Sequence, residues 1–303
     1  MKKSAVLLFV VFGLLLMLSS VLSQAAYRLD KTLLSYTYMS REIEAVAREL
    51  DDAVLRETSA RDTIDYINKA FGLDIPDKLD PYLYRAAYNA FTADWYARTG
   101  KRMLFNTLHV ISGKESGLSL PISIQEYKLA LLEIARSELT AYEYVEIDRE
   151  VSSLPFTVEL ADTFIDGKND RVLRLMRRIE PALLSVTYII PGVFLILCFV
   201  PLRIGGGFTA AGSGIFAGGA AVLVFASGLR SFAAERAGSA VMESIPPFFV
   251  WAGGGIDRIV AKLISGMLPL AIVVTAAGFC IAAAGLALVK FRGDKRFYFR
   301  RSH

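Results

Sequence analysis

The chain has 303 residues, 54% of them hydrophobic, a mean hydropathy of +0.43 and a net charge of +4. Its basic excess sits at the two ends, so it reads as a membrane-topology signal and not as a signal for nucleic acid. The polar part holds no cysteine and one histidine, His109, which excludes a disulfide framework and a Cys/His metal centre there.

Four stretches carry no charged residue: Ser4–Tyr27, Pro181–Leu202, Ile204–Leu229 and Leu263–Val289. About 20 apolar residues suffice to cross the hydrocarbon core. The expected fold is an all-α integral membrane protein with four transmembrane helices and a helical-bundle extracytoplasmic domain between the first two.

Residues 1–27 begin with Lys2 and Lys3, continue through the apolar run Ala5–Leu18 and reach Ser23-Gln24-Ala25, a small-x-small cleavage pattern. The segment is either a cleaved signal peptide or a retained signal anchor, and either choice exports the polar segment C-terminal to it.

Residues 28–180 form the expected extracytoplasmic domain, with 21 basic and 26 acidic side chains. Leu29, Leu33, Tyr36, Ser40, Ile43, Ala47, Leu50 and Val54 recur at heptad spacing. They predict a first helix rising from the membrane as a stalk, packed in its own bundle or paired with a second copy. Asp80-Pro81 marks a helix start, and Ser123 with Glu126 reads as a capping box. Ser153-Leu-Pro155 is expected to open a short helix ending near Gly167, and no alternating run is long enough to argue for a sheet. The expected apolar faces are Tyr84, Ala87, Phe91 and Trp95, then Tyr127, Leu131, Ile134 and Val145, then Val172, Leu175, Met176 and Ile179.

Chemistry-bearing patterns in this domain are sparse. His109 lies in an apolar helical context and reads as a half-buried structural histidine. Asp162, Asp166 and Asp170 are interrupted by Gly167 and do not match calcium-loop spacing. Eleven of the thirteen tyrosines fall between Tyr27 and Tyr144, where half-buried bundle positions account for them. The face of Arg171, Arg174 and Arg178 is the candidate contact for lipid headgroups or a partner.

Residues 181–303 are the membrane part, with spans at 182–201, 208–229 and 268–289. Pro191 is expected to kink the second span. Gly214 and Gly218 form a GxxxG motif and are the candidate helix-packing positions, expected to meet the small residues of the fourth span or else an oligomer or partner. The loop 230–267 reads as two amphipathic helices on the outer leaflet, flanking an interfacial anchor of Phe248, Phe249 and Trp251. The tail, 290–303, carries Lys290, Arg292, Lys295, Arg296, Arg300 and Arg301 against Asp294. Both termini are therefore assigned to the cytoplasm, with the N-terminus outside if the signal is cleaved.

One span, a large exported domain and three further spans make a layout that resembles the FtsX/MacB class of ABC permease-like proteins. The resemblance covers the layout and rests on no motif. The chain departs from the class where Met1–Ser4 provide no cytoplasmic helix and where Leu202–Gly207 is too short for a coupling helix. It implies a permease-type subunit with an ATPase partner. The residues themselves favour a non-enzymatic membrane protein of the cell envelope whose exported domain binds a partner or ligand, as scaffold, accessory subunit or sensor. A membrane enzyme acting on lipid or cell wall is the third reading, with no catalytic residue to nominate. No cofactor is expected. The expected partners are membrane lipid and a protein of the membrane or envelope, with homo-oligomerisation an alternative and no nucleic acid.

Overall fold

The computed structural model describes residues 3–71, 80–160, 170–242 and 253–299. In chain order it contains α1 (Lys3–Thr32), α2 (Tyr36–Glu49), α3 (Ala53–Phe71), α4 (Asp80–Ala90), α5 (Ala93–Ile111), β1 (Pro121–Ser123), α6 (Gln125–Glu138), α7 (Ala141–Ser153) and β2 (Thr157–Glu159). Then come α8 (Asp170–Leu184), a π-helical turn (Ser185–Ile189), α9 (Ile190–Met242) and α10 (Gly253–Phe299). Among the described residues, four helical segments are long and apolar enough to cross a membrane: Val6–Thr32, Leu173–Val200, Ile204–Gly228 and Arg258–Phe291. The protein is therefore a multi-pass membrane protein by length and composition.

The chain forms two compact units. The span unit comprises Met1–Thr32, Glu180–Ala234 and Val260–His303, and the polar unit comprises Leu33–Ile179 and Glu235–Ile259.

Glycines set the packing of the span unit. A methyl group on Gly214 would lie 2.7 Å from Leu16 Cβ and 2.8 Å from the Gly13 carbonyl, and one on Gly218 would lie 2.7 Å from Ser20 Cβ. The GxxxG face therefore seats α1, and the third span runs parallel to it. A second glycine row seats the fourth span antiparallel to the third: Gly205 against Val289, Gly212 against Ala282 and Gly219 against Thr275. Such approach brings the helix backbones close together, the usual source of packing energy where lipid removes the hydrophobic drive.

Helix α9 is helical throughout but not straight. Thr187 and Gly218 would stand ~46 Å apart along one straight helix, yet Thr187 meets Ser23 of α1 and Gly218 meets Ser20. The chain reverses between the second and third spans, where a methyl on Gly207 would touch the Phe199 ring at 2.6 Å. The expected short inner connection is thus a helical corner. The kink expected at Pro191 takes the form of the π turn just before it. Proline has no N–H to give to the carbonyl four residues back, which is that of Thr187, and Ser23 Oγ of α1 donates to this carbonyl at 2.8 Å.

The polar unit is centred on aromatic residues. Phe91 stacks on Tyr127 with ring centroids 5.7 Å apart, and Trp95 and Tyr96 meet edge to face at 5.0 Å. Ile64, Ile67, Ile122, Ile124, Leu131 and Val158 complete the buried core. Trp95 Nε1 donates to the Ser123 carbonyl at 3.1 Å, tying α5 to β1. Burial raises the pKa of the Tyr96 and Tyr127 phenols; Tyr96 shares a 2.8 Å hydrogen bond with Thr63, while the Tyr127 hydroxyl has no partner. Lys128, 5% exposed, donates to the Leu154 carbonyl at 2.7 Å and lies 4.2 Å from the Phe156 ring. It closes the C-terminal end of α7, where free carbonyls favour a cation, and desolvation lowers its pKa.

Several local expectations are corrected. The heptad seam is cut twice. Ser35 takes extended backbone and caps α2 through Tyr38 N, and Asp52 Oδ1 caps α3 through the amides of Val54 and Leu55. No continuous stalk forms; Ala47 and Leu50 are buried while Val54 is 73% exposed. Ser123 does not cap a helix but sits in β1, and the capping box is Thr140 with Glu143. Residues Pro121–Ser123 and Thr157–Glu159 pair antiparallel with Ile122 opposite Val158, a ladder too short to leave a periodic signal. It also occupies the first part of the segment expected as a helix from Ser153, where α7 instead ends; the remainder, 161–169, lies outside the described residues. Tyr84, Val145 and Leu175, placed on apolar faces by spacing, are exposed, and the face expected to run from Tyr84 to Trp95 is divided at Phe91 and Thr92, where α4 has ended and Thr92 caps α5. No break separates α9 from the segment expected as an outer amphipathic helix: it runs on to Met242, and α10 begins at Gly253. Phe248, Phe249, Trp251, Asp162 and Asp166 lie outside the described residues.

Candidate functional site

A concavity with a volume of about 370 Å³ lies in the polar unit, in the seam between α2 and α5. Its floor is small because its sequence is small: Ala47 from α2, Ala93 and Ala97 from α5. Its walls are charged at helical spacing: Glu44, Arg48 and Asp51 on one side, Asp94, Arg98 and Lys101 on the other. Thr92 fixes the start of α5 by accepting from Trp95 N at 3.2 Å, which also anchors this wall to the aromatic core.

Ion pairs close both ends of the cleft. Lys101 Nζ donates to Glu44 Oε1 across the two helices, and that hydrogen bond, followed by the lysine charge, holds the Glu44 carboxyl below the usual range. At the other end Arg98 Nε lies 2.9 Å from Asp94 Oδ2, and its Nη2 lies 3.4 Å from Glu126 Oε1 on α6. Between them Arg48 and Asp51 make no ion pair among the described residues. Glu49, next to Arg48, pairs with Arg258 at the start of α10.

Three acids and three bases make the lining electrically balanced. A cleft of this kind suits a partner segment or small ligand carrying both signs, with Arg48 and Asp51 free to receive an anionic and a cationic group. The cleft has no nucleophile with an adjacent base. Among the described residues no three His, Cys, Asp or Glu side chains converge as a metal site.

The residues singled out by sequence lie elsewhere. Arg174 and Arg178 are exposed on α8, which also carries Arg171, and Arg177 Nη2 donates to the Ser116 carbonyl. Gly214 and Gly218 pack on α1. His109 is half-buried, its ring 3.9 Å from that of Phe105 and its Nδ1 3.5 Å from Glu115. The sequence reading misses the cleft itself, although Glu44/Arg48/Asp51 and Asp94/Arg98/Lys101 repeat one charged i, i+4, i+7 pattern beside alanines. That pattern can mark two helices packed closely with their charges at the rim.

No family model, curated protein or solved structure matches this chain.

Proposed function

We propose that this is a non-enzymatic integral membrane protein whose polar unit lies outside the cytoplasm and binds a partner through the α2–α5 cleft, as a scaffold, accessory subunit or sensor. The observation that carries the reading is the cleft: an alanine-floored, charge-balanced groove in which Arg48 and Asp51 make no ion pair among the described residues. The placement is supported by charge. The chain ends are basic and the polar unit is not, as expected when the ends stay in the cytoplasm.

The test is crosslinking affinity purification from native membranes, with mass spectrometry of the product. A stoichiometric partner recovered with the wild type should fall about tenfold with Arg48→Glu or Lys101→Glu, since close charge pairs govern such contacts. Arg178→Glu, outside the cleft, should keep it. Equal recovery from all of them would refute the cleft as the binding surface.

A further inference from the structure

A second polar site lies in the span unit, on the face of α1 that carries Ser20, Gln24 and Arg28 at four-residue spacing. Gln24 is 4% exposed; its amide nitrogen donates to the Ser20 carbonyl at 3.2 Å, and its Oε1 has no partner. One turn on, Arg28 has a buried Nε that likewise lacks a partner. Its guanidinium lies against Gly266 of α10, where a methyl group would sit 3.2 Å from Nη1. Side chains on a helix lean toward its N-terminus, so Arg28 leans back toward Gln24.

Arg28 has no carboxylate within ion-pair distance among the described residues. The nearest acid in sequence, Asp30, is held by Lys31 at 3.3 Å. Lys262, one turn before Gly266 on the same face of α10, adds positive charge rather than a counter-ion. A guanidinium seated on a glycine, one turn from a buried carbonyl oxygen, thus leaves one donor and one acceptor to be satisfied between α1 and α10.

Depth identifies the ligand's chemistry. The uncharged run Ser4–Tyr27 makes ~36 Å of helix, against a hydrocarbon core of about 30 Å, so Arg28, the first charge after it, stands at the level of the phosphates. Arginine offers a planar fork that matches a phosphate in two hydrogen bonds. We infer that the Arg28–Gly266 groove binds a phosphate group, with Arg28 as its anchor and Gln24 receiving a water or hydroxyl carried in with it. A phospholipid headgroup and a free phosphate share this chemistry.

The test uses the full chain in nanodiscs and native mass spectrometry after release. Phosphatidylglycerol should be retained one to one, and phosphate-free diacylglycerol should not. Arg28→Gln should weaken retention about ten- to hundredfold, the loss expected for a charge-assisted hydrogen bond. Gly266→Leu should do the same by pushing the guanidinium off its seat without changing charge, and Arg28→Lys should recover part of it. A lipid source predicts retention in the presence of millimolar inorganic phosphate. A free-phosphate source predicts no lipid adduct but saturable binding of inorganic phosphate, lost in the same variants. A wild type that retains no phospholipid and binds no phosphate overturns the inference without any variant, and so does retention unchanged in Arg28→Gln and Gly266→Leu.

Discussion

Gly212 offers the sharpest test of helix packing in the span unit. A methyl group there would lie 2.2 Å from the Ala282 amide nitrogen and 2.7 Å from the Gly278 carbonyl. Ordinary contact begins near 3.4 Å, so the third and fourth spans would have to separate by about 1 Å. The obstacle is backbone, which cannot rotate away. The cost should fall at the upper end of the overpacking range, about 3 kcal/mol. Alanine also favours helix over glycine by about 1 kcal/mol, so Gly212→Ala should be destabilised by about 2 kcal/mol net. Gly192→Ala is the control: a methyl there meets nothing within 4 Å and should gain up to about 1 kcal/mol. The two variants should move in opposite directions when folded protein is measured by size exclusion after graded heating. Equal midpoints would refute the assigned contact between the third and fourth spans.

The bond from Ser23 to the carbonyl freed by Pro191, and the seat of the Gly214–Gly218 face on α1, predict that the first helix stays on the mature protein. Its intact mass should include residues 1–27, and a mass lacking residues 1–25 would refute this. For the membrane topology, Glu133→Cys, on an exposed position of a unit without natural cysteines, should react with an impermeant maleimide applied to whole cells. Labelling only after lysis would place the polar unit inside. Alkaline pH should unfold the polar unit through Tyr96 and Tyr127. Their folded pKa values are raised by burial, so their contribution is complete below pH 10 and is lost as pH climbs above it. The loss is about 1.4 kcal/mol per pH unit for each tyrosine, while the folded phenol stays protonated. Because the Tyr127 hydroxyl has no partner, Tyr127→Phe should cost little at pH 8 and should flatten the alkaline decline; an unchanged slope would sink the assignment. Lys128→Ala should lose about 1–3 kcal/mol by stranding the carbonyl of Leu154, seen as a lower urea midpoint, and no change would show that water replaces the lysine.

Much of the architecture was written locally. An uncharged run of 20 or more residues has few places to go except lipid, and the residues that α4, α5 and α6 turn inward could be read from spacing because Ala87, Phe91, Trp95, Tyr127 and Leu131 are all buried in one core. Spacing could not settle competition between neighbours. The heptad from Leu29 to Val54 is regular, yet Ser35 and Asp52 offer backbone amides a better bond at two points, and the helix ends there twice. Ser123 had the right spacing for a cap, but the Trp95 indole and the strand at Thr157–Glu159 claimed its backbone. The small residues of the third and fourth spans announced that those two helices pack closely, as Gly212 and Gly219 do, but only the tertiary structure gave the GxxxG pair Gly214 and Gly218 to α1 instead. The cleft and the Arg28 groove arise in the same way, from residues on separate helices. The sequence by itself thus determined solvent preference and helix content, which each segment's own side chains set. Tertiary structure decided which faces meet, because that depends on what every other helix leaves uncovered.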